Sequence, residues 1–385
     1  MTQPFYVFGM FRSGTTLLAR MLDTHRNIVC ASDPFRPFYN ALRDDVAEDE
    51  QIPLEPYAPL GDYFADEQQL DLYQAIQAAT LDRPFERDGG ELLDRIISHS
   101  TPFSPRIADV LSEEHLGEDT FGSIHQRLIA EVPEQYGDGD ESLIGTKEVW
   151  TTEFVPTLHA TDPESKFLLV VRDPRAVCAS KFKREETYPW LFLARQWRKL
   201  TLLSHHYANN VFPENAHLIT YEDLVTRPEH TAKEMCSFLG VELDDRILNP
   251  GNFTDGEGNP WIQNTSYEGE EPSFNTDSVR KWENVLEPSI VEFIERLCFS
   301  EMSLMDYRRT SATELGFTDA EMTDPPRIPT AELANWIVPY YGNKTALERT
   351  EDMAQEEVRH RLLRLPEEKF RELPEHLVQD YVLEE

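Results

Sequence analysis

The chain is poor in cysteine and in lysine. It holds four cysteines, Cys30, Cys178, Cys236 and Cys298, with no CxxC pair and no Cys/His cluster. A zinc site built on paired thiols is thereby excluded, and buried free thiols in a reducing compartment are expected. Lysine supplies nine of the 36 basic residues, set against 71 acidic ones, for a net charge of −35. Such a surface repels backbone phosphates, which excludes nucleic acid as a general partner. It also suits a protein kept soluble at high salt, where screening removes most of the self-repulsion, so a halophilic source is expected. No apolar run approaches the ~20 residues that cross a bilayer. The four residues MTQP leave no room for a signal sequence before the first strand-like run, and the expected location is cytoplasmic. No internal repeat is visible.

What is present suits a globular enzyme. The 385 residues, 40% hydrophobic and 11% aromatic, suffice for one large α/β domain with additions. Phe5–Phe8 reads as a short buried strand ending at Gly9, and Thr15–Leu22 as a helix with Leu17, Leu18 and Met21 on one side. Ile28–Ala31 and Ser142–Glu148 have strand character, and Thr151–His159 that of a helix. The continuous apolar run in "KFLLVVRDP" (Lys166–Pro174) fits a central parallel strand covered on both faces. Pro174 is placed to open the next helix, to about Arg184. "AHLITYEDL" (Ala216–Leu224) is a strand and turn, and a helix opening at Arg227-Pro228 stops at Gly240. Alternating strands and helices predict a mainly parallel sheet with crossovers. The acidic, proline-interrupted stretch 43–140 reads as a mostly helical insertion. Residues 308–385 read as a helical C-terminal extension to a main domain over 1–307.

The chemistry starts in "GMFRSGTT". Gly9, four residues, Gly14 and two hydroxyl residues give the spacing of a phosphate-binding loop between a strand and a helix. Its amides, at a helix N-terminus, can hold an anion, and Thr15 and Thr16 add donors. The lysine that grips the outer phosphates of a nucleoside triphosphate is replaced by Thr15, and Arg12 is the positive charge left in the loop. A second cationic cluster stands in "VVRDPRAVCASKFKR". Arg172 leaves the strand, and Ser180 and Arg184 share one helix face four residues apart.

Together these segments resemble the two signature stretches of sulfotransferases that use 3′-phosphoadenosine-5′-phosphosulfate (PAPS). The spacing is most similar to the tyrosylprotein sulfotransferase branch. The resemblance covers about residues 5–40 and 142–300, and it implies a P-loop-NTPase-like three-layer α/β fold. It implies that Arg12, Ser13, Gly14, Thr15, Thr16 and Leu17 hold the 5′-phosphosulfate, and that Arg172, Ser180 and Arg184 hold the 3′-phosphate. Tyr221 of "TYEDL" would contact the nucleotide. Ser266 and Lys281, fifteen residues apart, match the family's late segment, which Trp282 follows. Lys147 of "GTKE" stands where the family has a lysine near the transferred group. Asp33, 21 positions after Arg12, occupies the place of the branch's general-base glutamate and is one methylene shorter.

The implied reaction is in-line transfer of the sulfuryl group from PAPS to a hydroxyl or amine, leaving PAP. Arg12, Lys147, the loop amides and Ser266 would stabilise charge on the departing oxygen. Asp33 would take the acceptor proton, with Glu148 in reserve. Arg36 would orient Asp33 or the acceptor, or else form a surface pair. His25 reads as a helix cap rather than a catalyst, and His205-His206 lacks a third metal ligand. No metal is required. Tyrosylprotein enzymes take acidic peptides, which this surface would repel, so the expected acceptor is a carbohydrate, lipid or small metabolite. A homodimer stays open. The rival readings are a phosphate-loop kinase or nucleotide hydrolase, which Thr15 argues against, and a non-catalytic PAPS or PAP binder.

Overall fold

Each apolar run read as a strand pairs in one parallel sheet. β1 (Gln3–Gly9), β2 (Ile28–Ser32), β3 (Leu143–Val149), β4 (Lys166–Val171) and β5 (Ala216–Thr220) lie in the order β2-β3-β1-β4-β5. A computed structural model supplies the structure and describes residues 3–52, 54, 67–117, 119–182, 190–261 and 273–310. β1 is central and buried from Phe5 onward, and Phe167–Val171 of β4 are buried beside it. That continuous apolar character is what a strand covered on both faces requires. The register pairs Gly9 with both Val149 and Val170, so the carboxyl ends of β1, β3 and β4 come out level. The chain leaves β1 toward β2 on one side and β4 toward β5 on the other. The crevice between the ends of β1 and β4 is therefore the switch point where ligands of such sheets bind.

By internal packing the chain divides into two units. One comprises Met1–Pro59, Leu72–Arg172 and Leu203–Asp277; the other comprises Leu60–Asp71, Asp173–Leu202 and Ser278–Glu385. The sheet belongs to the first. There α1 (Thr15–Asp23) follows the glycine loop and buries Leu17, Leu18, Met21 and Leu22. The helix Phe121–Tyr136 packs on β2 and β3, and Pro228–Leu239 on β5, ending at Gly240 with φ 74°. The stretch expected to be a helical insertion holds the helices Glu67–Ala78, Gly89–Ser100, Pro105–Val110 and Phe121–Tyr136. The helix Arg36–Asp49 runs through the expected boundary at 43, because its buried face continues from Phe38 and Tyr39 to Val46 and Ala47. The predicted helix at 151–159 is a 3-10 turn, Thr152–Phe154, leading into a helix at Val155–Thr161.

In the second unit, Pro174 opens the helix Pro174–Phe182 as its sequence position predicts. Arg175 ties that helix down from a buried position. Its guanidinium reaches Asp173 at 2.6 Å and Glu295 at 2.5 Å and lies 4.1 Å from the centroid of the Trp282 ring. Glu295, wholly buried in the helix Pro288–Leu297, also accepts from the amide and hydroxyl of Thr310 at 2.9 Å. All four cysteines are buried thiols outside any disulfide, as expected. Among the described residues no helix is long and apolar enough to cross a membrane. The expected C-terminal extension lies outside the described residues beyond Thr310.

Candidate active site

The glycine loop is shaped by close approaches. Gly14, at φ 96°, caps α1 without a side-chain hydrogen bond, and the first helical bond runs from the Leu18 amide to its carbonyl. The amides of Thr15, Thr16 and Leu17 have no intrahelical acceptor and form an anion nest with the positive end of the helix. A Cβ on Gly14 would stand 2.3 Å from the Tyr221 ring, and one on Gly9 2.5 Å from the Val170 carbonyl oxygen. Ser13 is turned inward, its hydroxyl donating to the Met10 carbonyl at 2.5 Å, which fixes the loop. The buried Thr15 side chain stands where a triphosphate site would place its lysine.

Arg172, at the end of β4, is buried against this loop. Its Nη1 donates to the Arg12 carbonyl at 3.0 Å, and its guanidinium lies 4.1 Å from the centroid of the Tyr221 ring. Tyr221 itself opens the helix Tyr221–Thr226, capped by Thr220. Arg12, Gly14, Arg172 and Tyr221 thus converge at the crevice. Ser180 and Lys281 both belong to the second unit, on the helix Pro174–Phe182 and in the 3-10 turn Lys281–Asn284 that packs on it. Arg184 and Ser266 lie outside the described residues.

Asp33 and Lys147 meet at the ends of β2 and β3. The Lys147 ammonium is ion-paired with Asp33 Oδ2, both side chains buried. Lys147 is the first lysine in the chain. Asp33 Oδ1 accepts from the Val149 amide at 3.3 Å, and the Asp33 amide donates to the Lys147 carbonyl at 2.6 Å. Each carboxylate oxygen keeps a second lone-pair direction for a proton. Glu148, fully buried, accepts from the Phe35 amide at 2.5 Å through Oε1. Burial, reinforced by the Asp33 charge, raises its carboxyl well above the ordinary range. Arg36 begins the helix Arg36–Asp49 and biases the titration of Glu148.

Sequence reasoning missed three residues here. His99, from the helix Gly89–Ser100, brings a ring nitrogen within 4.8 Å of carboxylate oxygens of both Asp33 and Glu148. Burial and the Arg36 charge push its imidazole down to about 4. Phe11 and Trp150 stack with centroids 5.2 Å apart and planes at 18°. Trp150 sits at φ 70°, Arg12 at 66° and Asp33 at 47°, each just beyond the carboxyl end of its strand. Left-handed backbone at non-glycine residues costs about 1–3 kcal/mol each, and such strain is characteristically stored at binding and catalytic sites. No local pattern flags His99, whose place depends on how the insertion folds back.

Of the histidines noted from sequence, His25 is structural. Its Nε2 donates to the Glu242 carbonyl at 2.8 Å and its Nδ1 accepts from the Asn27 amide at 3.1 Å. His205 and His206 end the helix Trp190–His206 and join no metal-capable cluster among the described residues. Asp33, His99 and Glu148 are grouped closely enough to suggest cation ligands, but the Lys147 ammonium already occupies Asp33.

The model of the sulfotransferase family matches residues 4–245. The chain belongs to the sulfotransferase family. The PAPS-dependent family that its two signature segments resemble is thereby borne out, as are an enzyme of that class and PAPS as its co-substrate. This sulfotransferase is 23% identical over 256 residues to protein-tyrosine sulfotransferase A of Caenorhabditis elegans, covering 64% of this chain and 53% of that protein. It is 27% identical over 145 residues to protein-tyrosine sulfotransferase 2 of Gallus gallus, covering 36% of this chain and 39% of that one. The chain thus spans about half the length, or less, of these two relatives. Among solved structures it is similar to the sulfotransferase domain of the Synechococcus PCC 7002 olefin synthase. The TM-score is 0.44 and the identity 15%, over 80% of this chain and 96% of that one.

Proposed function

We propose that this sulfotransferase moves the sulfuryl group of PAPS to a hydroxyl of a carbohydrate, lipid or small metabolite. The observation that carries the reading is the placing of two functional groups on adjacent strands. The anion nest follows β1, and the Asp33–Lys147 pair stands at the ends of β2 and β3, with Gly9 and Val149 as register partners.

PAPS, when bound, supplies a sulfuryl group on a good phosphate leaving group. Arg12 and the amides of Thr15, Thr16 and Leu17 hold the phosphosulfate and neutralise charge on the oxygen between phosphorus and sulfur as its bond to sulfur breaks. Lys147 is the buried cation available to the same oxygen. Asp33 accepts the acceptor's proton as the new oxygen–sulfur bond forms, a contribution of about 10²–10⁴-fold. Lys147 compensates the Asp33 charge before that step. Arg172 and Tyr221 hold the 3′-phosphate end of the nucleotide. Ser180, Arg184, Ser266 and Lys281 complete the set that the family's motifs imply.

A net charge of −35 supports an acceptor that is not an acidic peptide. The second reading is a peptide tyrosine, which the two protein-tyrosine relatives favour. Incubation of ³⁵S-labelled PAPS with a lysate of the source cells separates them. Label in glycan, lipid or small-molecule fractions, lost with Arg12→Ala, supports the first; label in tyrosine-containing peptides supports the second. Absence of any Arg12-dependent product overturns both.

A further inference from the structure

Three polar groups lie close together beside Lys147. Asp33, His99 and Glu148 each offer an atom within 4.8 Å of the others, yet no hydrogen bond joins any two of them. Among the described residues, His99 Nε2 and Glu148 Oε2 are shielded from solvent and have no hydrogen-bond partner. A buried polar atom left so costs about 1–3 kcal/mol, which points to a missing partner. A hydroxyl oxygen that comes within ~2.8 Å of both unpartnered atoms would supply the partner each lacks. A metal ion held by the same three atoms would sit beside the Lys147 ammonium, which repels it.

We propose that Glu148 and His99 seat the acceptor's hydroxyl oxygen. The hydroxyl donates to His99 and accepts from Glu148, so the insertion helix contributes a residue that selects a neutral hydroxyl over an amine. This rests on the sulfotransferase reading above and names the acceptor group that the site takes.

The protonation states fit those roles. Burial and the neighbouring Asp33 charge favour the protonated form of Glu148, which can donate. Burial, Arg36 and Lys147 keep His99 neutral, against the opposing pull of Asp33, hence able to accept. An alkylammonium ion has no lone pair for Glu148 and would bring a third cation beside Lys147 and Arg36. Both groups act as positioning residues for the acceptor: its one proton rests on His99 and turns to Asp33, which offers an oxygen in the same cluster and takes the proton as the oxygen–sulfur bond forms.

The test uses the full chain with ³⁵S-labelled PAPS and a matched pair of probes, 2-phenylethanol and 2-phenylethylamine. PAP affinity is measured by calorimetry for every variant. The wild type is expected to sulfate the alcohol at least about tenfold faster than the amine. His99→Phe and Glu148→Leu are expected to lower kcat/KM for the alcohol about tenfold or more, with PAP affinity kept within about twofold. Glu148→Gln, which retains a donor at that position, is expected to recover most of the loss. The infrared spectrum of the wild type is expected to show a protonated-carboxyl band that Glu148→Gln removes. Equal use of amine and alcohol, unchanged alcohol turnover in His99→Phe, or absence of that band overturns the seat and leaves the sulfotransferase reading standing. A wild type that binds no PAP overturns the reading beneath it.

Discussion

Arg172 reaches back across the switch point to donate to the main-chain carbonyl of Arg12, at 3.0 Å. The candidate 3′-phosphate ligand thus also braces the left-handed residue of the 5′-phosphosulfate loop, at φ 66°. A phosphate on one side and a carbonyl on the other use different edges of one planar guanidinium, which a lysine cannot reproduce. Arg172→Ala is therefore expected to weaken PAP binding by at least ~1.5 kcal/mol, about tenfold or more. Arg172→Lys is expected to recover only a minor part. Titration calorimetry with PAP checks both, and unchanged affinity in Arg172→Ala removes the residue from the site.

Gly14 answers to two constraints at once, its φ of 96° and the Tyr221 ring 2.3 Å from where a Cβ would stand. Gly14→Ala is expected to destabilise the fold by about 1–3 kcal/mol and to abolish measurable PAP binding. Tyr221→Ala made alongside it removes the clash but not the backbone strain. The double variant is expected to regain stability without regaining full affinity, as denaturant unfolding and PAP titration would show.

The strands were legible because each is a short apolar run bounded by a turn, and a buried parallel strand has that signature. The loop was legible because its glycines and hydroxyl residues are contiguous, so that Arg12, Gly14 and Thr15 describe their own geometry. Arg172 and Tyr221 were reachable because each lies at the carboxyl end of a strand, where the sheet's order delivers them to one crevice. His99 was not legible. It sits 66 residues from Asp33 in an amphipathic helix whose periodicity reports a buried face but not what that face covers. The Phe11–Trp150 stack depends on the Trp150 backbone turning left-handed, which a bulky aromatic residue gives no local reason to expect.

The Asp33–Lys147 pair makes stability and chemistry share two residues. Both side chains are buried, so removing either partner leaves an uncompensated charge at a cost of about 3–5 kcal/mol. Lys147→Met and Asp33→Asn are each expected to lower the unfolding free energy on that scale. The double variant is expected to recover a large share of it while remaining unable to transfer sulfate. A double-mutant cycle from denaturant midpoints measures the coupling, and additive losses would show the pair to be energetically unimportant.

His125 sets part of the acid limit of the fold. It is buried on the helix Phe121–Tyr136 among Tyr6, Phe38 and Tyr39, and its Nε2 has no hydrogen-bond partner among the described residues. Burial alone pushes its imidazole down to about 4 from the ordinary 6.5. The unfolded chain therefore takes up the proton more readily, and stability present above pH 6.5 is lost as pH falls toward 4. The full difference corresponds to about 3 kcal/mol for this one group. His125→Phe fills the same aromatic niche without a titrating nitrogen. Its unfolding free energy is expected to fall less steeply than the wild type's between pH 6.5 and 4, and to be equal or higher at pH 5. Parallel slopes in that window, measured by urea unfolding, would place the acid sensitivity elsewhere, His99 being the next group to substitute.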